Sequence, residues 1–144
     1  MSKTEIATTA SGACLCGAVR YSVRGELRDV VNCHCSQCRR SHGHHAAYSS
    51  VALADLQIES DGGSDGDALR WYTAPDRIAR RGFCQYCGAS LFWAPLGEPR
   101  VAVAAGSLDQ PTGLTTVRHI FTADMGDYYE ISDSLEQLPR GHAG

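Results

Sequence analysis

Apolar and polar positions alternate along most of this chain in short runs, the period expected when successive side chains point to opposite faces of a strand. The runs are AVRYSV (18–23), DVVNCH (29–34), AAYSSVAL (46–53), LQIES (56–60), ALRWYTA (68–74), RIARRGF (77–83), SLFWAPL (90–96), VAVAAGSL (101–108), VRHIFTA (117–123) and YYEIS (128–132). They are rich in β-branched or aromatic residues, and turn formers such as LGEP and DQPTG separate the later ones. The pattern predicts a mainly β protein. ESDGGSDGDA (59–68) carries three glycines and four acidic residues, which suits a flexible hairpin tip and lacks the ligand spacing of a calcium loop. Only Ser36–Ser41 invites a helix, a short one with Ser36 as N-cap and Gly43 as stop. Residues 1–12 are small and polar and predict a flexible N-terminus. DSLEQLPRGHAG (133–144) reads as a loosely held tail, leaving a folded domain over 13–132.

At 144 residues the chain falls within the usual size of one domain and is long enough to bury a core without disulfides. No apolar run resembles a signal-peptide core or a membrane span, so a cytoplasmic protein without membrane association is expected. The formal net charge is −3 and Lys3 is the only lysine. Affinity for nucleic acid comes largely from clustered cations, and the pairs Arg39-Arg40 and Arg80-Arg81 are too short to form a basic stripe. Nucleic acid is therefore not an expected partner.

Cysteine changes the picture most. In a reducing compartment, seven cysteines suggest metal ligands or reactive thiols more readily than disulfides, and an odd number cannot pair completely. They divide into Cys14-x-Cys16, Cys33-x-Cys35-x-x-Cys38 and Cys84-x-x-Cys87. On an extended strand a C-x-C pair presents two sulfurs on one face, and C-x-x-C does so through a turn. Cys14, Cys16, Cys84 and Cys87 thus make up a closed four-sulfur structural zinc site, with Gly17 and Gly88 suiting the tight turns of its knuckles.

Cys33, Cys35 and Cys38 supply only three sulfurs to a second ion. Structural zinc sites take four protein ligands, whereas catalytic ones usually take three and leave one position for water or substrate. His34 lies between two of the cysteines and should point to the opposite strand face, packed or facing solvent. His42, His44 and His45 follow the short helix and leave a choice open: one of them closes the site, or they line or flank its opening. An open site predicts an enzyme. A histidine-closed site predicts a zinc-stabilised β module that recruits a partner protein, and a metal-free triplet predicts a redox or metal-sensing thiol cluster.

CLCGAVRY (14–21), NCHCSQCRRSHG (32–43) and RRGFCQYCGASLFW (80–93) resemble the glutathione-dependent formaldehyde-activating enzyme family, or CENP-V/GFA domain. The resemblance extends to HIFTADMGDYYEISDSLEQLP (119–139), and it departs from the usual pattern at His44-His45, where small residues often follow the glycine. It implies a mainly antiparallel β-tent, or β-sandwich-like, domain holding two zinc ions. Residue by residue, it implies structural-zinc roles for Cys14, Cys16, Cys84 and Cys87 and catalytic-zinc roles for Cys33, Cys35 and Cys38. The implied activity is that of a carbon–sulfur lyase or synthase that forms S-(hydroxymethyl)glutathione from glutathione and formaldehyde. Arg39 and Arg40, with their forked donors, are candidates to clamp the carboxylates of such a thiol, with His44 beside them. Trp71, Tyr72 and Trp93 are candidates for either the core or a pocket wall.

Overall fold

The computed structural model describes residues 7–63 and 66–141, and thirteen strands and one α-helix account for its regular structure apart from three short 3-10 turns. Strands β1 (Ala10–Ala13), β2 (Val19–Val23) and β5 (Leu56–Ser60) form a three-stranded antiparallel sheet in the order β1-β2-β5. The large sheet contains β3 (Val30–Cys33), β4 (Ala46–Ala52), β8 (Leu69–Thr73), β9 (Ala79–Cys84), β10 (Ser90–Pro95), β11 (Arg100–Ala104), β12 (Thr116–Ile120) and β13 (Glu136–Gln137). Its eight strands run in the order β13-β12-β3-β4-β11-β10-β9-β8. Pairing is antiparallel except at one end, where β12 lies parallel to both β3 and β13. Within the acidic glycine-rich stretch, β6 (Gly62–Gly63) pairs antiparallel with β7 (Gly66–Asp67), and the tip expected between them, 64–65, lies outside the described residues.

The alternation read from the sequence becomes two packed faces on the large sheet. In β11, Val101 and Val103 face the small sheet and meet Val19, Tyr21 and Val23 of β2, together with Leu91 and Phe92 of β10. A register shift between Ser90 and Phe92 lets these two adjacent β10 residues serve the same core. Tyr21 meets Phe92 edge-on with ring centroids 5.3 Å apart. Ala102 and Ala104 point the other way, into a second cluster with Cys33, Ala46, Tyr48 and Cys38. Small residues there let the helix α1 (Ser36–His42) lie against the sheet.

Four local expectations change. The helix is present and Gly43 stops it at φ 81°, but the N-cap is Cys35, whose Sγ accepts the Cys38 N–H at 3.3 Å. A sulfur replaces the expected Ser36 hydroxyl because Cys35 sits where the strand end turns into the helix, and Ser36 is already exposed within it. YYEIS forms no strand, since Tyr128 and Tyr129 are engaged sideways with histidine rings and the segment pairs with no neighbour. The edge position passes instead to β13, within the stretch read as a loose tail, and the Leu138 N–H donates to the His119 carbonyl at 2.9 Å. At the other end β1 starts at Ala10, within the 1–12 stretch expected to be flexible, of which residues 1–6 lie outside the described residues.

Candidate metal centres

The first centre lies where the two sheets meet. Cys14 follows β1 of the small sheet and Cys84 ends β9 of the large one, and both belong to the core between the sheets. The chain turns tightly after each: the Gly17 N–H donates to the Cys14 carbonyl at 3.2 Å, and the Gly88 N–H to the Cys84 carbonyl at 2.7 Å. Gly17 and Gly88 take φ of 83° and 78°, the left-handed region that a β-carbon disfavours. These turns bring Cys16 and Cys87 round to face the other pair, so that all four sulfurs lie within 4.8 Å of one another.

The spacing tests whether a metal fits. Four sulfurs at about 2.3 Å from a tetrahedral zinc stand about 3.8 Å apart. Cys14 to Cys16 and Cys16 to Cys84 are each 3.7 Å. Four thiolates this close repel one another. Against the pull of the Ala18 N–H, burial and the other sulfurs push Cys16 up to about 11. Against its own desolvation, the Ala89 and Cys16 N–H groups and neighbouring thiols hold Cys87 down at about 6. A divalent cation at the centre relieves that conflict, and the residues present suit one.

The second centre lies on the outer face of the large sheet. Cys33 ends β3, Cys35 caps α1 and Cys38 occupies the helix's first turn, giving three sulfurs within 4.8 Å of one another. Among the described residues no histidine or carboxylate joins this cluster. The three share charge unequally. The Cys33 and Cys38 side chains and the Cys38 N–H pull Cys35 down to about 2, while the Cys35 and Cys38 side chains and burial push Cys33 far up. Three thiols held this close cannot all ionise without a cation, and metal binding here would exchange their protons for one.

Arg81, which the sequence offered only as half of a pair too short for a basic stripe, reaches this centre from β9. Its guanidinium stands 3.7 Å from Cys38 Sγ and donates to the Tyr48 hydroxyl at 3.3 Å. Tyr48 in turn lies within hydrogen-bond distance of His42, its hydroxyl 2.9 Å from Nε2. Burial and then the Arg81 charge push His42 down to about 4, which keeps it neutral. His42 is therefore occupied by Tyr48. The signal that could have found Arg81 is its strand: three residues before Cys84, on a strand whose end already holds one metal centre.

The other expected residues are distributed around the triplet. Arg39, next to Cys38, is half-buried with a buried, unpartnered Nε, and Arg40 is exposed. His44 is exposed, with Nδ1 2.7 Å from the Tyr128 hydroxyl. Trp93 packs beside the triplet, whereas Trp71 joins the inner core under the Arg80 guanidinium, and Tyr72 is exposed. His34 points away from the sulfurs as expected, but into a polar network: it is 1% exposed and bonds His119 and Tyr129. His119, Tyr129 and Asp133 were not anticipated, because β12 reaches β3 only through the parallel pairing that sets His119 opposite Asn32.

A family model described as "Glutathione-dependent formaldehyde-activating enzyme" matches residues 9–124, which span both centres. The chain belongs to this family. Among solved structures, the formaldehyde-activating family member described here is similar to a protein from Rhodobacter sphaeroides known from a crystal structure. The two are 30% identical, with a TM-score of 0.55 over 69% of this chain and 88% of the other. Membership brings a family-level association with glutathione and formaldehyde, and the two cysteine clusters are sites able to hold metal ions. No helix among the described residues is long and apolar enough to cross a membrane.

Proposed function

We propose that this chain is a zinc-dependent carbon–sulfur lyase or synthase acting on a thiol–aldehyde adduct, with glutathione and formaldehyde as the thiol and aldehyde. The observation that carries the reading is the asymmetry of the two centres: one is closed by four sulfurs and the other offers three. Zinc is the cation that sulfur-rich tetrahedral sets favour, so two ions per chain are expected. When bound at Cys33, Cys35 and Cys38, zinc supplies an open position at which a thiol ionises at neutral pH.

The chain's own residues do the rest. Arg81 sets a positive charge against Cys38 and offsets the negative charge of the sulfur cluster. Arg39 and Arg40 project from the same helix as Cys38 and offer forked donors to the carboxylates of a tripeptide thiol. His44 stands beyond them at the exposed rim, and Trp93 gives the triplet an apolar neighbour. Holding thiol and aldehyde side by side replaces a bimolecular encounter with an oriented one. In the joining direction a carbon–sulfur bond forms and the thiol proton ends on the new hydroxyl oxygen. In the reverse direction that bond breaks to return thiol and aldehyde.

The test combines metal analysis with NMR exchange spectroscopy of formaldehyde, glutathione and their adduct. Wild type is expected to carry two zinc ions and to accelerate exchange. Cys35→Ser is expected to keep one zinc and lose the acceleration. Zinc-loaded wild type that leaves the spontaneous rate unchanged sinks the proposal.

A further inference from the structure

The outer face of the large sheet, which carries the triplet, has a second feature that the proposed chemistry leaves unused. A cleft of about 800 Å³ opens toward the C-terminal end of β4, lined by Glu26, Arg28, Ser50, Ala52, Glu98 and Arg100. That volume is within the range of small-molecule sites. Arg28, just ahead of β3, reaches over β4: its Nε donates to the Asp29 carbonyl at 3.1 Å and its Nη2 to the Tyr48 carbonyl at 2.9 Å. Arg100 and Arg118 are each paired with a glutamate, Glu98 at 3.0 Å and Glu136 at 2.9 Å, whereas no carboxylate among the described residues pairs with Arg28. Partial burial of its guanidinium, and then the like charges of Arg100 and Arg118, hold Arg28 below its ordinary range. An anion in the cleft relieves that repulsion, and a carboxylate fits the guanidinium's fork. Glu26 is exposed on the same cleft and pairs with no cation among the described residues.

The cleft and the triplet share a wall. Cys33 stands opposite Ala46 at the start of β4. Ser50 lies four residues on, about 13 Å along the strand, on the face to which Tyr48 points. Ala102 of β11 is opposite Ser50 on one side and Trp93 on the other. Ala102 and Trp93 both pack in the cluster that holds Cys33 and Cys38, and the Arg100 guanidinium sits over Trp93 at 5.6 Å. The Arg28 guanidinium is nearer still, because Tyr48, whose carbonyl it meets, is two residues, about 7 Å, from Ala46. An extended tripeptide spans about 10 Å, so one tripeptide thiol can set its sulfur at the triplet and a charged end at Arg28.

We propose that this cleft binds the γ-glutamyl head of glutathione, with Arg28 taking its α-carboxylate and Glu26 its ammonium. The inference rests on the thiol–aldehyde reading above and fixes the thiol's orientation within it. The two ends of glutathione differ: the γ-glutamyl end carries a carboxylate and an ammonium on one carbon, and the glycine end a carboxylate alone. Only the first matches a cleft that offers an unpaired charge of each sign. Arg100, held by Glu98 and lying over Trp93, walls the cleft. The glycine carboxylate is then left to Arg39 and Arg40 of the helix that carries Cys38.

Binding and catalysis test it separately on the zinc-loaded full chain. S-methylglutathione, whose sulfur cannot ionise, should shift the backbone amide NMR signals of Arg28, Ser50 and Ala52, and its affinity should fall about tenfold in Arg28→Gln. No shift at the cleft, or unchanged affinity in Arg28→Gln, overturns the proposal whether or not the chain turns over a thiol. Free glutamate has the head without the sulfur arm and should bind far more weakly. Equal binding would make the cleft an amino-acid site and overturn its assignment to the thiol. In turnover, Arg28→Gln is expected to lower kcat/KM for glutathione about tenfold, mainly through KM, the pattern of lost binding. Glu26→Gln should act in the same sense, and as an exposed side chain it carries both comparisons if Arg28→Gln loses metal or unfolds. N-acetylcysteinylglycine keeps the sulfur and the glycine end, and wild type should use it about as poorly as Arg28→Gln uses glutathione. Wild type that uses both thiols equally well overturns this inference and leaves the thiol–aldehyde reading standing. Wild type inactive on every thiol removes that reading, and the S-methylglutathione shifts then still decide whether the cleft takes the γ-glutamyl head.

Discussion

Arg81 offers the sharpest test of how the protein supports its three-sulfur centre. Three thiolates holding one divalent ion would leave a net negative charge, in a cluster that packs on Ala46, Tyr48, Ala102 and Ala104. At the 3.7 Å that separates Arg81 from Cys38 Sγ, and at an effective dielectric of about 20, a unit charge pair attracts by about 4.5 kcal/mol. Desolvating a half-buried guanidinium offsets much of that, so the net effect on metal binding should fall to the range of other outer-shell partners, about 10- to 100-fold in affinity. Arg81→Met keeps much of the side chain's length and removes the charge. Zinc competition against a chromophoric chelator at neutral pH should show one site weakened by that factor and the other unchanged. The unchanged site is the four-sulfur centre, which serves as an internal reference. Arg81→Lys should fall between, since it keeps the charge but loses the fork that spans Tyr48 and Cys38. Wild-type affinity at both sites in Arg81→Met would refute the electrostatic argument, and equal loss at both would show a folding defect instead.

Chelation of both ions should abolish the cooperative thermal transition seen by circular dichroism, because structural zinc contributes on the order of 10 kcal/mol, comparable with the whole stability of a domain. Phe92→Ala should cost about 3–5 kcal/mol, read as a lower urea midpoint at unchanged slope, since Phe92 is 1% exposed and packs against both Tyr21 and Trp71. Acid should destabilise the fold through His42, which titrates near 4 in the folded chain against 6.5 ordinarily. Between those values the unfolded chain binds more protons, so stability is full above the upper value and falls as pH drops toward the lower. His42→Gln should flatten that slope, and an unaltered slope would show that His42 is not desolvated as described.

The strands and the cysteine partition were legible because both depend on short-range spacing. LQIES is β5 residue for residue, and the pairs Cys14/Cys16 and Cys84/Cys87 meet because each is brought round by a turn visible in the sequence. YYEIS misled for a physical reason: its aromatic residues satisfy the strand pattern, yet their rings are held by His44 and His34, and the chain there makes no ladder. Arg81, Tyr129, His119 and Asp133 escaped notice because their roles arise from pairings distant in sequence. His119 reaches His34 only through the parallel β12–β3 register, and no local pattern encodes a parallel pairing.

The two faces of the large sheet also separate what holds the protein together from what gives it chemistry. β11 turns Val101 and Val103 toward the small sheet and Ala102 and Ala104 toward the helix. The four-sulfur centre belongs to the first face and ties β1 to β9, so its loss exposes the main core. The triplet belongs to the second, where one short helix and the end of β3 supply all three sulfurs. A change at Cys35 therefore leaves the joint between the sheets in place, while a change at Cys84 does not. On the proposed reading, that separation would let the three-sulfur centre leave a fourth position to substrate, since the fold between the sheets does not depend on a fourth ligand there.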